Sequence, residues 1–236
     1  SQVTNKKGAM DTVITNALGQ ETIYRGQIVG GEYRLMEVVG AGCAQCGPAN
    51  MRYRYDAQGK QTEVIELTAT QVINGKAQGE AVRLRGQRTS YDGQGRVSRV
   101  ESMSYQGGKA QAPVVLARYE YTDSTNQNAH SQPTLIARPS VIPGQEHQTK
   151  LSYNERGQVT SITESGYSPI DQDGKPNPTV ISRTTTYAYR TVESSNVSVL
   201  TAIDGPLANG PKQDPTDSDI TTFEHGPRGT YLVSSM

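Results

Sequence analysis

The chain has few of the residues that build a thick apolar core. Among 236 residues there is no tryptophan and one phenylalanine, and only 33% of the residues are hydrophobic. Disordered chains also have few aromatics, but they carry net charge, whereas here 13 tyrosines are present and 23 basic side chains balance 23 acidic ones. Tyrosine and β-branched residues occur in short clusters separated by glycine, asparagine, aspartate and proline, which is typical of many short strands. We therefore expect an all-β fold built on a thin sheet.

Other absences exclude classes of function. A formal charge of zero gives no support for a nucleic-acid partner, because proteins that bind polyanions usually carry a basic excess. No apolar run approaches the roughly 20 residues of a membrane-spanning helix, and no sustained apolar series has helical spacing. The chain shows no signal peptide and begins with Ser1 instead of methionine, so we expect a fragment of a longer protein.

One stretch, residues 91–100, predicts a strand, a tight turn and a second strand. The carboxylate of Asp92 can accept hydrogen bonds from nearby main-chain amides, and Gly95 can adopt the positive φ that a short hairpin turn requires. Thr89, Tyr91 and Val97 are of the types that strands favour. This stretch predicts a β-hairpin whose polar residues serve the turn.

The same plan recurs along the chain. Residues 55–60 and 153–158 match residues 91–96 closely, and residues 16–20 and 223–230 are degenerate copies. The matched aspartate and asparagine positions are 36 and then 62 residues apart, so we expect insertions between copies. Repeated hairpins of this kind stack into a continuous sheet, because a single hairpin cannot bury a face alone. The residues assigned a structural role in these turns are Tyr55, Asp56, Gly59, Tyr91, Asp92, Gly95, Arg96, Tyr153, Asn154 and Gly157.

Further short patterns complete the predicted organisation. Tyr-x-Tyr strand endings are predicted at residues 53–55, 119–121 and 187–189, and Asn74–Gly75 predicts another hairpin turn. We expect one repeat region over residues 1–236. Within it, residues 1–10 are predicted to be frayed, and insertion loops are predicted near residues 122–132, 168–178 and 208–217.

The recurring residues resemble the tyrosine–aspartate (YD) repeats of the Rhs family, whose pattern is roughly Tyr-Asp-x-x-Gly-Arg. Residues 91–96 fit that pattern fully, and the resemblance extends from about Val13 to Val233. The family includes polymorphic bacterial toxins, toxin-complex C subunits and teneurins. The resemblance implies an array of antiparallel hairpins that forms a continuous curved sheet, part of a spiral β-shell. In the toxins this shell encloses a C-terminal toxic domain.

The resemblance implies a structural, non-catalytic segment of such a shell, which encapsulates or presents a toxin or other polypeptide in bacterial competition or secretion. The expected partners are the rest of the parent polypeptide and an enclosed toxin domain. The expected location is secreted, delivered by a bacterial secretion system, or at the cell surface. The family's self-cleavage segment is absent, and Asp204-Gly205-Pro206-Leu207 is interpreted as a turn, so no catalytic residue is assigned. A chain of this length would supply only part of the shell wall, and its exposed edge strands predict either self-association or an elongated, open sheet.

Candidate chemical sites are few. Cys43 and Cys46 have C-x-x-C spacing, but a closed zinc site needs four ligands, and His130, His147 and His225 are scattered. We therefore expect no metal and no cofactor, and a local disulfide stays open as an alternative. No G-x-S-x-G nucleophile motif and no phosphate-binding loop is present, so no enzyme activity is expected.

The alternative function is a cell-surface adhesion or carbohydrate-binding module built from the same repeats. Under that hypothesis the Tyr-x-Tyr clusters would stack against sugars. The competing interpretation is that these tyrosines pack across strands.

Overall fold

The structure, a computed structural model, describes residues 2–4, 9–42, 47–122, 128–167, 170, 174–175, 180–192, 196–207, 219–225 and 233–235. Within these ranges the regular structure is entirely β, and the strands pair in antiparallel fashion, which confirms the predicted fold class. The strands are β1 (Gln2–Thr4), β2 (Ala9–Thr15), β3 (Glu21–Val29), β4 (Glu32–Gly40), β5 (Met51–Tyr55), β6 (Gln61–Leu67), β7 (Val72–Ile73), β8 (Lys76–Ala77), β9 (Arg83–Tyr91), β10 (Val97–Gln106), β11 (Lys109–Ala110), β12 (Val114–Glu120), β13 (Leu135–Pro139), β14 (Glu146–Tyr153), β15 (Val159–Tyr167), β16 (Val180–Val192), β17 (Val197–Asp204), β18 (Ile220–Thr222), β19 (Glu224–His225) and β20 (Val233–Ser235).

The chain folds as two compact units, Ser1–Leu116 and Ala117–Met236. In unit 1, β1 to β6 lie side by side in chain order and are followed by β9 and β10, while β7 and β8 form a separate hairpin. In unit 2, β13 to β18 again lie in chain order, and β19 pairs with β20. This succession of neighbouring antiparallel strands is what a hairpin array produces.

The two units repeat one pairing register. Glu37 pairs with Arg52 in unit 1, and the residues 98 positions later, Leu135 and Lys150, pair in unit 2. β6 and β9 form four residue pairs between Glu63 and Glu66. The residues 98 positions later form the corresponding four pairs between β15 and β16. The uneven motif spacings of 36 and 62 residues are therefore the two parts of one 98-residue structural repeat.

Two apolar clusters described in unit 1 lie on one face of the sheet. Ile23 and Val39 pack against Val72 of the β7–β8 hairpin, and Ile65 and Leu67 pack against Met103. The hairpin turns at Asn74 and Gly75 with φ values of 49° and 70°, as the Asn–Gly pair predicted.

Unit 2 has a polar residue at one of the matching positions. Thr163 occupies the register position of Ile65, and it pairs with Thr184 as Ile65 pairs with Gly86. One backbone plan therefore carries a buried isoleucine in unit 1 and a hydroxyl group at the corresponding position of unit 2.

Some local predictions differ from the structure. The Tyr-x-Tyr segment at residues 187–189 lies inside β16 and not at a strand end, because β16 and β17 continue to pair as far as Val192 and Val197. Residues 1–10, predicted to be frayed, include β1, whose backbone is paired with β2.

The predicted loops at 122–132, 168–178 and 208–217 fall partly or wholly outside the described residues, as does most of the degenerate copy at 223–230. In the part of the chain that is described, no helix is long and apolar enough to cross a membrane.

Candidate functional site

The repeated turns share one set of hydrogen bonds. In the turn that begins at Asp92, Oδ1 accepts from the amides of Gln94 and Arg96 at 3.0 and 2.9 Å, and the amide of Gly95 donates to the carbonyl of Asp92 at 2.9 Å. Gly95 has a φ of 77°. The Asx-turn predicted from the sequence is thus confirmed. Equivalent bonds form the turns that begin at Asn16, Asp56 and Asn154.

A tyrosine hydroxyl anchors its strand to an earlier hairpin. In each case the phenol donates to a main-chain carbonyl 20 or 30 residues earlier, over 2.7–3.0 Å. The pairs are Tyr55 with Leu35, Tyr91 with Gln61, Tyr153 with Pro133, and Tyr189 with Val159. Burial raises the pKa of Tyr91, Tyr153 and Tyr189, which favours the protonated form that can donate.

Tyr189 is an anchor that lies outside the repeated turn motif. It follows Tyr91 by 98 residues, but Arg190 stands where the other copies have aspartate or asparagine, so the turn motif is missing. The hairpin is instead five residues longer: Tyr189 pairs with Leu200, whereas Tyr91 pairs with Val97. The 98-residue spacing is the sequence signal that could have located this anchor.

A β-bulge accompanies every one of these four tyrosines. In each hairpin the register shifts beside the tyrosine, and one hydroxyl-bearing residue of the returning strand is skipped in the pairing. The skipped residues are Thr62, Ser98, Thr160 and Thr201. The hairpin at Asn16 has Thr15 in place of the tyrosine, and its pairing runs without a shift. A serine or threonine seven residues after the first three tyrosines was a sequence signal for these bulges.

Adjacent turns also bind one another. In unit 1, Lys60 donates to the carbonyl of Gly95 at 2.6 Å, and its ammonium lies 5.3 Å from the centre of the Tyr91 ring. In unit 2, Arg156 donates to the carbonyl and the side-chain oxygen of Asn196, both at 2.6 Å. On the other side of the same turn, Asn128 donates to the carbonyl of Glu155 at 2.7 Å. The turns thus form contacting rows within each unit.

Asp92 and Arg96 carry an additional contact. The Arg96 guanidinium donates through Nε to Oδ2 of Asp92 at 2.7 Å. Burial alone would raise the pKa of Asp92, but the amide of Arg96, its guanidinium and the amide of Gln94 together lower the pKa below its ordinary value of 3.8. The arginine of the repeat motif therefore stabilises the ionised aspartate of its own turn.

Acid stability should depend on Asp92. Because its pKa is lower in the folded chain, the ionised carboxylate stabilises the fold above its ordinary value, and this contribution is lost as pH falls through the folded-state pKa. Asparagine keeps the accepting oxygen, as Asn154 shows, but does not titrate. We expect Asp92→Asn to lose less stability than the parent chain between about pH 4 and about pH 2 in urea unfolding. Glu80→Gln, at an exposed position outside these turns, controls for removal of one carboxylate. Parallel acid profiles for the parent chain and Asp92→Asn would contradict the expectation.

A cavity of about 590 Å³ lies beside the β7–β8 hairpin in unit 1. Its wall comes from residues 19–21, 40–41 and 69–74, and the Glu21 carboxylate at its edge accepts a hydrogen bond from the amide of Gly75 at 2.7 Å.

Cys43 and Cys46 lie outside the described residues, so their predicted lack of metal stays a prediction. Within the described ranges, no group of three or more histidine, cysteine, aspartate or glutamate side chains is placed to hold a metal ion.

No family model and no curated protein matches the chain. Among solved structures, the chain is similar to the crystal structure of TcdB2-TccC3 without its hypervariable C-terminal region, with 14% identity and a TM-score of 0.34. The match covers 94% of this chain and 11% of that chain, so this chain spans a small part of that protein's length. A TM-score of this size does not establish a common fold.

Proposed function

We propose that the chain is a structural, non-catalytic segment of an Rhs/YD-repeat shell that encloses or presents a toxin or other polypeptide in bacterial competition or secretion. The observation that carries the proposal is how the recurring side chains are used. The tyrosine hydroxyl binds an earlier hairpin, the Asx oxygen binds its own turn, and the glycine provides the positive φ. The recurring tyrosine, Asx and glycine residues therefore serve to extend the sheet. Their polar groups are used in hydrogen bonds of the turns and anchors.

The 98-residue repeat supports the same proposal. The β6–β9 pairs from Glu63 to Glu66 and their counterparts between β15 and β16 share one offset but carry different side chains, so the backbone plan is kept while the face varies. A wall built by addition of similar units has this property, because each unit need match only its neighbours. The partners we propose are the remainder of the parent polypeptide and an enclosed toxin domain, and the location is secreted, delivered by a secretion system or at the cell surface.

Protection of an enclosed segment tests the proposal. The natural full-length protein that contains this chain is digested with trypsin under native conditions, and the cleavage rate of its flanking polypeptide is compared with that of the same polypeptide expressed alone. We expect cleavage to be slower by at least about tenfold in the intact protein, since an enclosed chain must open before it is cut.

A second measurement distinguishes the shell role from the alternative, a carbohydrate-binding module. Equal cleavage rates would overturn the shell proposal, and micromolar binding of the same protein on a glycan array would then favour the carbohydrate-binding module. Protection without glycan binding supports the shell. Binding of glycans by a protein whose flanking segment is also protected would contradict a purely structural role.

A further inference from the structure

Charged side chains oppose one another across several strands on one face of unit 1. Arg54 on β5, Glu63 on β6, Arg88 on β9 and Glu101 on β10 occupy directly paired positions. A second row on the same face comprises Asp11, Arg25, Glu37 and Arg52 on β2 to β5. Arg99 joins the first row beside Glu101. We name the surface formed by Arg25, Arg52, Arg54, Arg88 and Arg99 the arginine face.

The carboxylates are more deeply buried than the guanidinium groups. The side chains of Glu37, Glu63 and Glu101 are 9–13% exposed, whereas the five arginine side chains are 32–53% exposed. The glutamates pair with the arginines over 2.6 Å from Arg52, 3.0 Å from Arg88 and 3.3 Å from Arg54. Solvent therefore meets guanidinium groups that buried carboxylates hold in place.

The repeat does not require these charges. At the register positions of Arg54, Glu63 and Arg88, unit 2 has Ser152, Ser161 and Thr186, and it forms the same pairings. Ion pairs of this kind add little net stability, because desolvation offsets much of their attraction. The shared backbone plan forms without these charges in unit 2. Their presence in unit 1 therefore indicates a role in recognition of a partner.

Guanidinium groups of this kind suit carboxylates. Arginine binds carboxylates through two parallel hydrogen bonds, and the ion pairs of Arg54 and Arg99 engage Nε, so their terminal nitrogens can serve a second partner. Arg52 and Arg54 are two residues apart on one strand, about 7 Å, which is also the spacing of alternate side chains in an extended peptide. We propose that the arginine face binds an acidic polypeptide segment with aspartate or glutamate at alternate positions. The shell role does not require this surface, so either proposal can fail without the other.

Titration with a labelled poly-L-glutamate peptide tests this inference. The complete 236-residue chain is titrated by fluorescence anisotropy and compared with the double variant Arg54→Gln/Arg99→Gln. We expect affinity for the peptide to fall at least about tenfold in the double variant and to fall with added salt in the parent chain.

Arg85→Gln is the matched control. Arg85 also pairs with a glutamate, Glu66 at 2.6 Å, and is 76% exposed, but it lies three residues from Arg88 on β9 and so faces the opposite side. We expect this variant to bind the peptide as the parent chain does. Circular dichroism confirms that each variant retains its fold.

Three outcomes would overturn the inference. The first is absence of poly-L-glutamate binding by the parent chain, and the second is equal loss of affinity in Arg85→Gln and the double variant. The third is binding of single-stranded DNA at least as tight as that of poly-L-glutamate of equal charge, which would indicate a polyanion site in place of a polypeptide site.

Discussion

Replacing Ile65 with alanine is expected to destabilise unit 1 by about 2–5 kcal/mol. Ile65 is 0% exposed and packs with Leu67 and Met103 in one of the two apolar clusters described there. Removal of its side chain loses transfer free energy and leaves a cavity that the paired strands β5 and β9 cannot readily collapse into. The loss is measured as a shift of the urea unfolding midpoint, followed by circular dichroism.

Thr163→Ala is the control for this prediction, because Thr163 holds the register position of Ile65 in unit 2. Its hydroxyl lies 2.8 Å from that of Thr184 at an exposed position, so we expect a loss of only about 0.5–1.5 kcal/mol. Equal losses in the two variants would contradict the contribution of the Ile65 cluster to the stability of unit 1.

The turns could be predicted from the sequence because their interactions are local. Asp92 and Asn154 accept amides two and four residues later, so a stretch of five residues contains donor, acceptor and the glycine that closes the turn. The same reasoning located the turn at Asn74 and Gly75. In each case the side chain and its partner are fixed by chain connectivity, and no knowledge of strand pairing is needed.

The anchors and the arginine face could not be predicted in this way. The partner of Tyr91 is a carbonyl 30 residues away, and the pairing register of β6 with β9 brings Gln61 beside it. The opposition of Arg88 and Glu63 also depends on strand register. Register is a property of paired strands, and a shift of one residue would move every side chain to the other face.

The comparison of the two units shows what holds the register. Ile65 and Thr163 differ in polarity, yet their strands pair at the same offset, so the composition of that face does not fix the register. The shared features are the Asx-turns, the tyrosine anchors and the bulged hydroxyl residues. We infer that turn geometry fixes the register of these hairpins, as loop length does in hairpins generally.

Contact between neighbouring turns predicts a second large effect, at Gly157. Its φ is 77°, and a Cβ atom placed there would lie 2.5 Å from the carbonyl oxygen of Asn128. Because the obstacle is main chain, it cannot swing aside as a flexible side chain would, and the bond from Asn128 to Glu155 must be disturbed. We expect Gly157→Ala to cost about 1–2 kcal/mol for the left-handed backbone and about 1–3 kcal/mol more for the clash.

Gly19→Ala separates these two contributions. Gly19 occupies the same position of an equivalent turn with a φ of 75°, but no atom lies within 4 Å of the site of its Cβ. This variant should therefore show only the backbone cost of about 1–2 kcal/mol in urea unfolding. Hydrogen exchange of the amides at residues 128–132 should accelerate in Gly157→Ala and stay unchanged in Gly19→Ala. If both variants lose the same stability and neither alters exchange at residues 128–132, contact between turns does not contribute to the stability of unit 2.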